Sequence, residues 1–120
     1  MATNSRLPTH RAPFHPGVIL EEEFRKPLGL TQYAFAALLG VSRERYAQIA
    51  TGKRAVTANT ALRIARVFGT EAEMWVAMQT DLELWNEMHS KEFAHIKKLK
   101  KVKLPREAMA SCGEHERLRH

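Results

Sequence analysis

Apolar residues recur at helical spacing along most of the chain, in short blocks separated by glycines, prolines and capping residues. The first block begins at Pro16, because a proline in the first turn of a helix loses no hydrogen bond. It should end at residues 26–29, since the residue before a proline disfavours the helical conformation. We expect acidic residues 21–23 on the solvent face of this helix, where they can pair with Arg25 or Lys26.

Residues 32–53 contain two short helical patterns in close succession, QYAFAALL and RERYAQIA. Thr31 and Ser42 are favourable N-caps for helices over 32–39 and 43–50. Gly40 lies in the turn between them, where a positive φ costs glycine least. This pattern is typical of a helix-turn-helix, in which the first helix supports the second in the major groove of DNA. Three residues should hold the two helices together: Ala36 where they cross, and Val41 and Ile49 pointing inward.

Two further helices are predicted beyond this pair. Thr57 caps the fourth helix, over residues 58–68, and Gly69 ends it. Its buried face is expected to consist of Leu62, Ile64, Ala65 and Phe68. Thr70 and Glu73 have the spacing of a capping box for a longer fifth helix.

The fifth helix carries a stripe of large apolar side chains at spacings i, i+4, i+8 and i+11. The stripe consists of Met74 or Trp75, followed by Met78, Leu82 and Trp85, with the spacings counted from Met74. It suits a core face, and it equally suits a subunit interface, where aromatic residues and methionine are enriched. The sequence leaves both interpretations open.

The polar side chains of the third helix should point away from the core. They are Arg43, Glu44 and Gln48, with Ala47 beside them and Lys53 and Arg54 in the loop beyond. In the major groove arginine can pair with guanine and glutamine with adenine, while glutamate accepts from cytosine or orients a neighbour. Lys53 and Arg54 are better placed for phosphates, which set register rather than sequence preference.

Composition and charge narrow the class of protein. A chain of 120 residues that is 44% hydrophobic and 27% charged suits one small domain with tails, in the cytoplasm and outside the membrane. The net charge is +6, and it is unevenly distributed. Residues 1–90 carry 10 Lys and Arg against 9 Asp and Glu, whereas residues 91–120 carry 9 against 4. A basic protein favours a polyanionic partner such as nucleic acid.

Both ends of the chain look less regular than its centre. Residues 1–14 are interpreted as a flexible arm, although Arg6 and Arg11 could contact a groove. Residues 91–120 form a basic, partly disordered extension, in which the lysine run 97–103 can prolong the fifth helix until Pro105 stops it.

The sequence offers no catalytic constellation. Cys112, His115 and His120 have a metal-like spacing but supply only three ligands, so neither a metal nor another cofactor is expected. The chain contains no glycine-rich phosphate loop and no nucleophile motif. We therefore predict that it is not an enzyme.

Residues 15–85 resemble the HigA antitoxins, also called the virulence-associated VapI type, among the Xre-like helix-turn-helix proteins. The motifs that carry the resemblance are HPG at 15–17, PLGL at 27–30, GVS at 40–42, TGKR at 51–54, TANTALRIA at 57–65 and the late tryptophans. The resemblance implies an all-α, five-helix bundle of the lambda-repressor-like (Xre) type. It also implies a homodimer that binds operator DNA, represses its own operon and neutralises a HigB/RelE-like mRNA-cleaving toxin.

Carried over onto this sequence, the family's DNA-binding positions are Gln32, Ser42, Arg43, Glu44, Gln48 and Lys53. Two departures stand out in the third helix. Tyr46 replaces an aliphatic core residue, so we expect its ring in the core and its hydroxyl at water or a phosphate. Ala50 and Thr51 replace the Leu-Asn pair that is more usual before Gly52.

The predicted organisation is an arm at 1–14, a DNA-binding domain with a dimerisation helix at 15–90, and a basic extension at 91–120. Three other functions compete with the antitoxin reading. The first is a stand-alone or phage-type Xre repressor without a toxin. The second is a protein-binding module that uses the stripe from Trp75 to Trp85. The third is a metal-dependent nuclease that uses Cys112, His115 and His120.

Overall fold

The computed structural model describes residues 11–105, and within that range all regular structure is helical. The described residues divide into two compact units between Ser90 and Lys91. Arg6, Cys112, His115 and His120 lie outside the described residues. No helix within residues 11–105 is both long and apolar enough to cross a membrane.

The first unit contains five helices. Helix α1 is α-helical over Pro16–Leu20, π-helical over Glu21–Arg25 and α-helical again over Lys26–Leu28. It is followed by α2 (Gln32–Leu39), α3 (Arg43–Ala50), α4 (Ala58–Phe68) and α5 (Ala72–Met88). The second unit contains α6 (Glu92–Lys97). The predicted all-α, five-helix bundle is confirmed in the first unit.

Local capping explains why α2, α3 and α4 begin where they do. The side chains of Thr31, Ser42 and Thr57 accept hydrogen bonds from the backbone N–H groups of Ala34, Arg45 and Thr60, respectively. Each bond satisfies one of the donors that a helix N-terminus leaves unpaired. Gly40 has a φ of 71° at the end of α2, and the helix-turn-helix predicted over residues 32–53 is confirmed.

Helix α1 ends within the expected residues 26–29, but not for the expected reason. Lys26 is helical despite preceding Pro27, and the helix continues to Leu28 before Gly29, at a φ of 70°, ends it. The π-helical turn lies directly before the proline, and the backbone N–H of Lys26 donates to the carbonyl of Glu21. A widened turn gives room where a proline ring would otherwise clash with the preceding turn of an α-helix.

The predicted capping box at the start of α5 is wrong. Helix α5 begins at Ala72 after Glu71, whose side chain makes no capping bond. The hydroxyl of Thr70 instead accepts a hydrogen bond of 2.8 Å from Nε1 of Trp75. A buried indole needs an acceptor for its N–H. The hydroxyl of Thr70 serves as that acceptor and does not cap the backbone of α5.

The hydrophobic core of the first unit is rich in aromatic rings. Phe24 makes edge-to-face contacts with Phe68 and Trp75, with ring centroids 5.3 and 5.5 Å apart. Phe35 contacts both Tyr46 and Phe68. The buried apolar residues come from all five helices and the loop before α4; they include Leu20, Phe35, Ala36, Leu39, Tyr46, Ile49, Val56, Ala61, Ile64 and Trp75.

Two assignments of apolar residues need correction. The sequence predicts Leu62 in the core, but this side chain is 62% exposed, and Ala61 is buried in its place. Trp75 is 0% exposed, so it belongs to the core and cannot contact a second subunit. Met78 also packs against the core, whereas Leu82 and Trp85 are half-buried further along α5.

The lysine run does not prolong α5. Helix α5 ends at Met88, α6 ends at Lys97, and residues 100–105 have no regular structure. Like charges at helical spacing repel one another, and this segment has no apolar face buried against a core to offset that repulsion.

Helix α1 approaches the end of α3 very closely at Gly17. A Cβ atom at Gly17 would lie 1.9 Å from the carbonyl oxygen of Ile49 and 2.7 Å from its carbonyl carbon. Only glycine permits this contact, because both of those atoms belong to backbone that cannot rotate away. The preceding His15 caps α1, with Nδ1 accepting a hydrogen bond of 2.9 Å from the N–H of Gly17.

We expect Gly17→Ala to destabilise the protein by about 3 kcal/mol or more, since overpacking a tight contact forces the backbone to move. Gly29→Ala is the matched control, because a Cβ there meets nothing within 4 Å and only the positive φ is unfavourable. Its expected cost is about 1–2 kcal/mol. Urea unfolding compares the two, and equal losses of stability would contradict the close approach.

Candidate DNA-binding surface

The outward face of α3 carries three exposed polar side chains, those of Arg43, Glu44 and Gln48. Ser42, at the N-cap, is also exposed, and Ala47 is half-buried between the polar residues. The opposite face, with Tyr46, Ile49 and Ala50, is buried. Amphipathicity of this kind fixes which side chains can meet a ligand, because rotating the helix would expose its core residues.

The loop after α3 places Lys53 and Arg54 next to Gln48. The backbone N–H groups of both residues donate to the carbonyl of Gln48, at 2.8 and 3.1 Å. Nε of Arg54 also donates to Oε1 of Gln48 at 3.1 Å. The carboxamide oxygen can accept a second bond and its NH₂ group remains a donor, so Gln48 keeps the groups that pair with adenine.

Arg45 makes supporting contacts that the sequence interpretation missed. Its Nη2 donates to Oδ1 of Asn59 at 3.1 Å and to Oγ1 of Thr60 at 2.9 Å. These bonds tie α3 to the first turn of α4. The partners are 14 and 15 positions away in the sequence, so no local sequence pattern predicts these hydrogen bonds.

The turn between α2 and α3 is held by a second arginine, Arg63 of α4. Its Nη1 donates to the carbonyls of Leu39 and Gly40, both at 3.1 Å. Its Nε donates to Oδ1 of Asn59 at 2.8 Å, the same oxygen that accepts from Arg45. Asn59 of α4 therefore binds Arg45 of α3 directly, and it also binds Arg63, the residue that holds the turn.

A buried carboxylate, Glu21 of α1, lies beneath α3. It accepts hydrogen bonds from Nε and Nη2 of Arg25 at 2.7 and 2.5 Å, and from the hydroxyl of Tyr46 at 2.8 Å. The amide of Gln32 approaches it at 3.4 Å. Nη1 of Arg25 continues to the carbonyl of Leu30 at 2.6 Å. The carboxylate thus connects α1 with the first residue of α2 and the inner face of α3.

Two expectations are corrected by this arrangement. The pairing of Glu21 with Arg25 is confirmed, but Glu21 is only 8% exposed and does not lie on the solvent face with Glu22 and Glu23. The hydroxyl of Tyr46 reaches neither water nor a phosphate, because the whole residue is buried and the hydroxyl donates its hydrogen bond to Glu21. The extra oxygen of tyrosine, relative to an aliphatic residue, is matched by the carboxylate on α1.

The same contacts set the protonation of the two groups. The hydrogen bonds and charge of Arg25, helped by the hydroxyl of Tyr46, lower the pKa of Glu21 to about 2, although burial acts in the opposite direction. Burial and the adjacent carboxylate raise the pKa of Tyr46 well above its ordinary value. At neutral pH the pair is therefore an ionised acceptor and a neutral donor.

The structure gathers most of the predicted site residues on one surface. Ser42, Glu44, Arg45, Ala47, Gln48 and Arg54 line one shallow depression. Arg43 and Lys53 are exposed on the same helix and loop. Gln32 differs from the others, since it is half-buried and its amide faces Glu21. Arg11, in the arm, lies 5.1 Å from the centroid of the Phe14 ring.

Comparison with known proteins identifies relatives of the helix-turn-helix unit. A family model described as helix-turn-helix matches residues 22–75. Virulence-associated protein I of Dichelobacter nodosus is 49% identical over 70 residues, which cover 58% of this chain and 65% of that protein. Antitoxin HigA-1 of Vibrio cholerae serotype O1 is 33% identical over 78 residues, which cover 65% of this chain and 73% of that protein.

Solved structures show the same fold. The antitoxin GraA in complex with its operator matches with a TM-score of 0.70 and 31% sequence identity. The match covers 82% of this chain and 99% of the GraA chain. The similarity thus extends over nearly the whole of that antitoxin.

We expect Tyr46→Phe to destabilise the protein by about 1–3 kcal/mol, because it leaves a buried carboxylate with one donor fewer. Tyr33→Phe is the matched control, since Tyr33 is 72% exposed and lies outside the core. Urea unfolding monitored by circular dichroism provides the comparison. A midpoint for Tyr46→Phe as high as that of the control would contradict a structural role for the bond to Glu21.

Glu21 should also make stability depend on pH. Its pKa is about 2 in the folded protein against 4.5 for the free group, so the folded state binds fewer protons between these values. The stabilisation is complete above pH 4.5 and is lost as the pH falls towards 2. Unfolding midpoints across this range should converge for the native protein and Glu21→Gln. Glu22→Gln, at an exposed ion pair with Lys26, serves as the control and should run parallel to the native profile.

Proposed function

The chain belongs to the Xre-type helix-turn-helix family that includes the HigA antitoxins, and from this membership we propose that it is the antitoxin of a type II toxin–antitoxin system. In this role it binds operator DNA as a homodimer and represses its own operon. It also neutralises a HigB/RelE-like toxin that cleaves mRNA. The likeness to antitoxin HigA-1 and to GraA bound to its operator supports both activities.

The observation that carries the DNA-binding role is the polar outer face of α3, held by contacts to α1 and α4. Arg43 is exposed near the N-terminus of α3, and Gln48 lies more than one turn further along. We assign these two side chains to base edges, since both can make paired hydrogen bonds in the major groove. Glu44 accepts from cytosine or orients Arg43.

The remaining site residues suit the phosphate backbone. Lys53 and Arg54 are exposed in the loop after α3. Gln32 and Ser42 lie at the N-termini of α2 and α3, where helix dipoles and unpaired N–H groups favour anions. At Gln32 this contact would use the backbone N–H, because the side-chain amide faces Glu21. These contacts would fix the register of α3 on the duplex without adding sequence preference.

A two-fold dimer would place two copies of α3 in successive major grooves, about 34 Å apart on the DNA. Of the stripe proposed for dimerisation, Leu82 and Trp85 remain as candidates after Trp75 is assigned to the core. Met78 contributes at most its outer edge, since it packs against the core. This arrangement assigns DNA binding and dimerisation to residues 15–90.

The same proposal extends to the location of the protein and to its lack of catalytic activity. We place the protein in the cytoplasm, where its operator and its toxin would be, and assign it no catalytic activity. Co-expression with the toxin gene adjacent to its own separates an antitoxin from a stand-alone repressor. Restored growth and a co-purified complex support the antitoxin, whereas operator binding without either leaves only the repressor.

We expect Arg43→Ala to weaken binding to the operator by about 1–3 kcal/mol and to leave binding to scrambled DNA nearly unchanged, because the substitution removes paired hydrogen bonds to a base. Lys53→Ala is the matched comparison and should weaken both duplexes alike, as removal of a phosphate-binding group does. Fluorescence anisotropy with the DNA upstream of the chain's own reading frame provides the affinities. An operator-to-scrambled ratio that Arg43→Ala leaves intact would overturn the assignment of Arg43.

A further inference from the structure

A second cationic surface lies outside the helix-turn-helix unit. The basic segment, residues 97–103 with the sequence KKLKKVK, carries five lysines: Lys97, Lys98, Lys100, Lys101 and Lys103. All five are exposed. We propose that the basic segment binds the phosphate backbone of duplex DNA beside the operator, an inference that rests on the proposed operator-binding function.

The lysines have no acidic partner within the part of the chain that the structure describes. The ion pairs of α1, Glu21–Arg25 and Glu22–Lys26, use other cations. Residues 91–105 contain six lysines and one carboxylate, Glu92. Residues 91–105 therefore concentrate positive charge that no described contact neutralises. This is the electrostatic pattern of a polyanion-binding surface.

Packing does not explain the composition of the basic segment. Nζ of Lys97 lies 5.4 Å from the centroid of the Phe93 ring, a contact that involves one of the five lysines. Leu99 and Val102 are 72% and 77% exposed, and residues 100–105 form no regular structure. A lysine-rich amphipathic helix would instead present a continuous apolar face, as helices that lie on membranes do. The absence of helix beyond Lys97 in the described residues favours an extended charged chain over that alternative.

The dimensions of an extended chain suit DNA. Lys97 ends α6, and the six residues that follow it, 98–103, span at most about 20–22 Å. The same length of duplex axis carries about six phosphates on each strand. Five lysines on flexible stems can therefore each reach a phosphate without a fixed register. Lysine suits this role because its ammonium is a compact point charge that needs no defined geometry.

Covalent connection to the helix-turn-helix unit strengthens the argument. Once α3 occupies the operator, the basic segment encounters adjacent phosphates at the high effective concentration of a tethered group. The helix-turn-helix unit has a nearly balanced charge, with 10 Lys and Arg against 9 Asp and Glu in residues 1–90. The extension would thus add salt-dependent affinity to that of the phosphate contacts proposed for Lys53 and Arg54, while the sequence preference would come from α3.

The test replaces all five lysines with glutamine in the full chain and measures binding as a function of salt. Two duplexes are used, one of operator length and one extended by flanking DNA on both sides, with a scrambled duplex beside them. On the extended duplex we expect the slope of log affinity against log salt to fall by about 0.9 for each phosphate that a lysine no longer neutralises, and affinity at low salt to fall by roughly tenfold or more. On the operator-length duplex the variant and the native protein should bind nearly alike.

Two control variants separate charge from conformation. Replacing the same five lysines with arginine retains the charge and should restore the native salt slope. Leu99→Ser with Val102→Ser changes the apolar positions of the basic segment and should leave the slope unchanged. Unfolding midpoints should be equal for all variants, because none of the replaced side chains is buried.

The outcomes are distinct for the two levels of the proposal. Equal salt slopes for the native protein and the glutamine variant, with operator preference intact, would overturn the role of the basic segment alone. Equal binding of operator and scrambled duplexes by the native protein would overturn the proposed function itself. Binding to anionic lipid vesicles that the glutamine variant loses, without any change on DNA, would assign the lysines to a membrane surface and overturn the inference.

Discussion

The carboxylate of Glu21 holds together the part of the fold on which DNA binding depends. Taking one ionised group out of water is unfavourable unless hydrogen bonds replace its hydration, and here Arg25, Tyr46 and Gln32 surround it. These partners lie on α1, α3 and α2, respectively. Because the donors are directional, the network favours one rotation of α3 about its axis. An apolar contact at the same place would allow α3 to slide or rotate with a smaller penalty.

Two local features of α1 place the carboxylate of Glu21 next to α3. At its N-terminus, Gly17 allows the backbone to approach the carbonyl of Ile49, so α1 lies against the end of α3 with no side chain between them. Further along, the π-helical turn Glu21–Arg25 accommodates Pro27 and contains both members of the buried ion pair. A helix irregularity and a close contact together fix where the carboxylate meets Tyr46.

Much of the fold follows from the sequence because its signals are local. The caps Thr31, Ser42 and Thr57 and the turn at Gly40 depend on residues within a few positions, and the structure confirms each of them. The same holds for the exposed residues of α3, whose positions follow from helix periodicity. The hydrogen bonds from Arg45 and Arg63 to Asn59 cannot be predicted from local sequence, since the tertiary fold brings these side chains together. The exposure expected for Glu21 is wrong because its partners Tyr46 and Gln32 come from other helices, so its burial depends on the tertiary fold.

The supporting contacts and the exposed surface use separate residues, and this separation bears on how sequence preference can change. Arg45, Arg63 and Tyr46 bind other groups of the protein, namely Asn59, Leu39 and Glu21. Arg43, Glu44 and Gln48 project outward from the same short helix. Substitutions on the outer face therefore leave the supporting hydrogen bonds intact and should alter which base pairs are preferred without unfolding the unit. A substitution among the supporting residues would instead shift α3 as a body, so that every contact to DNA changes together.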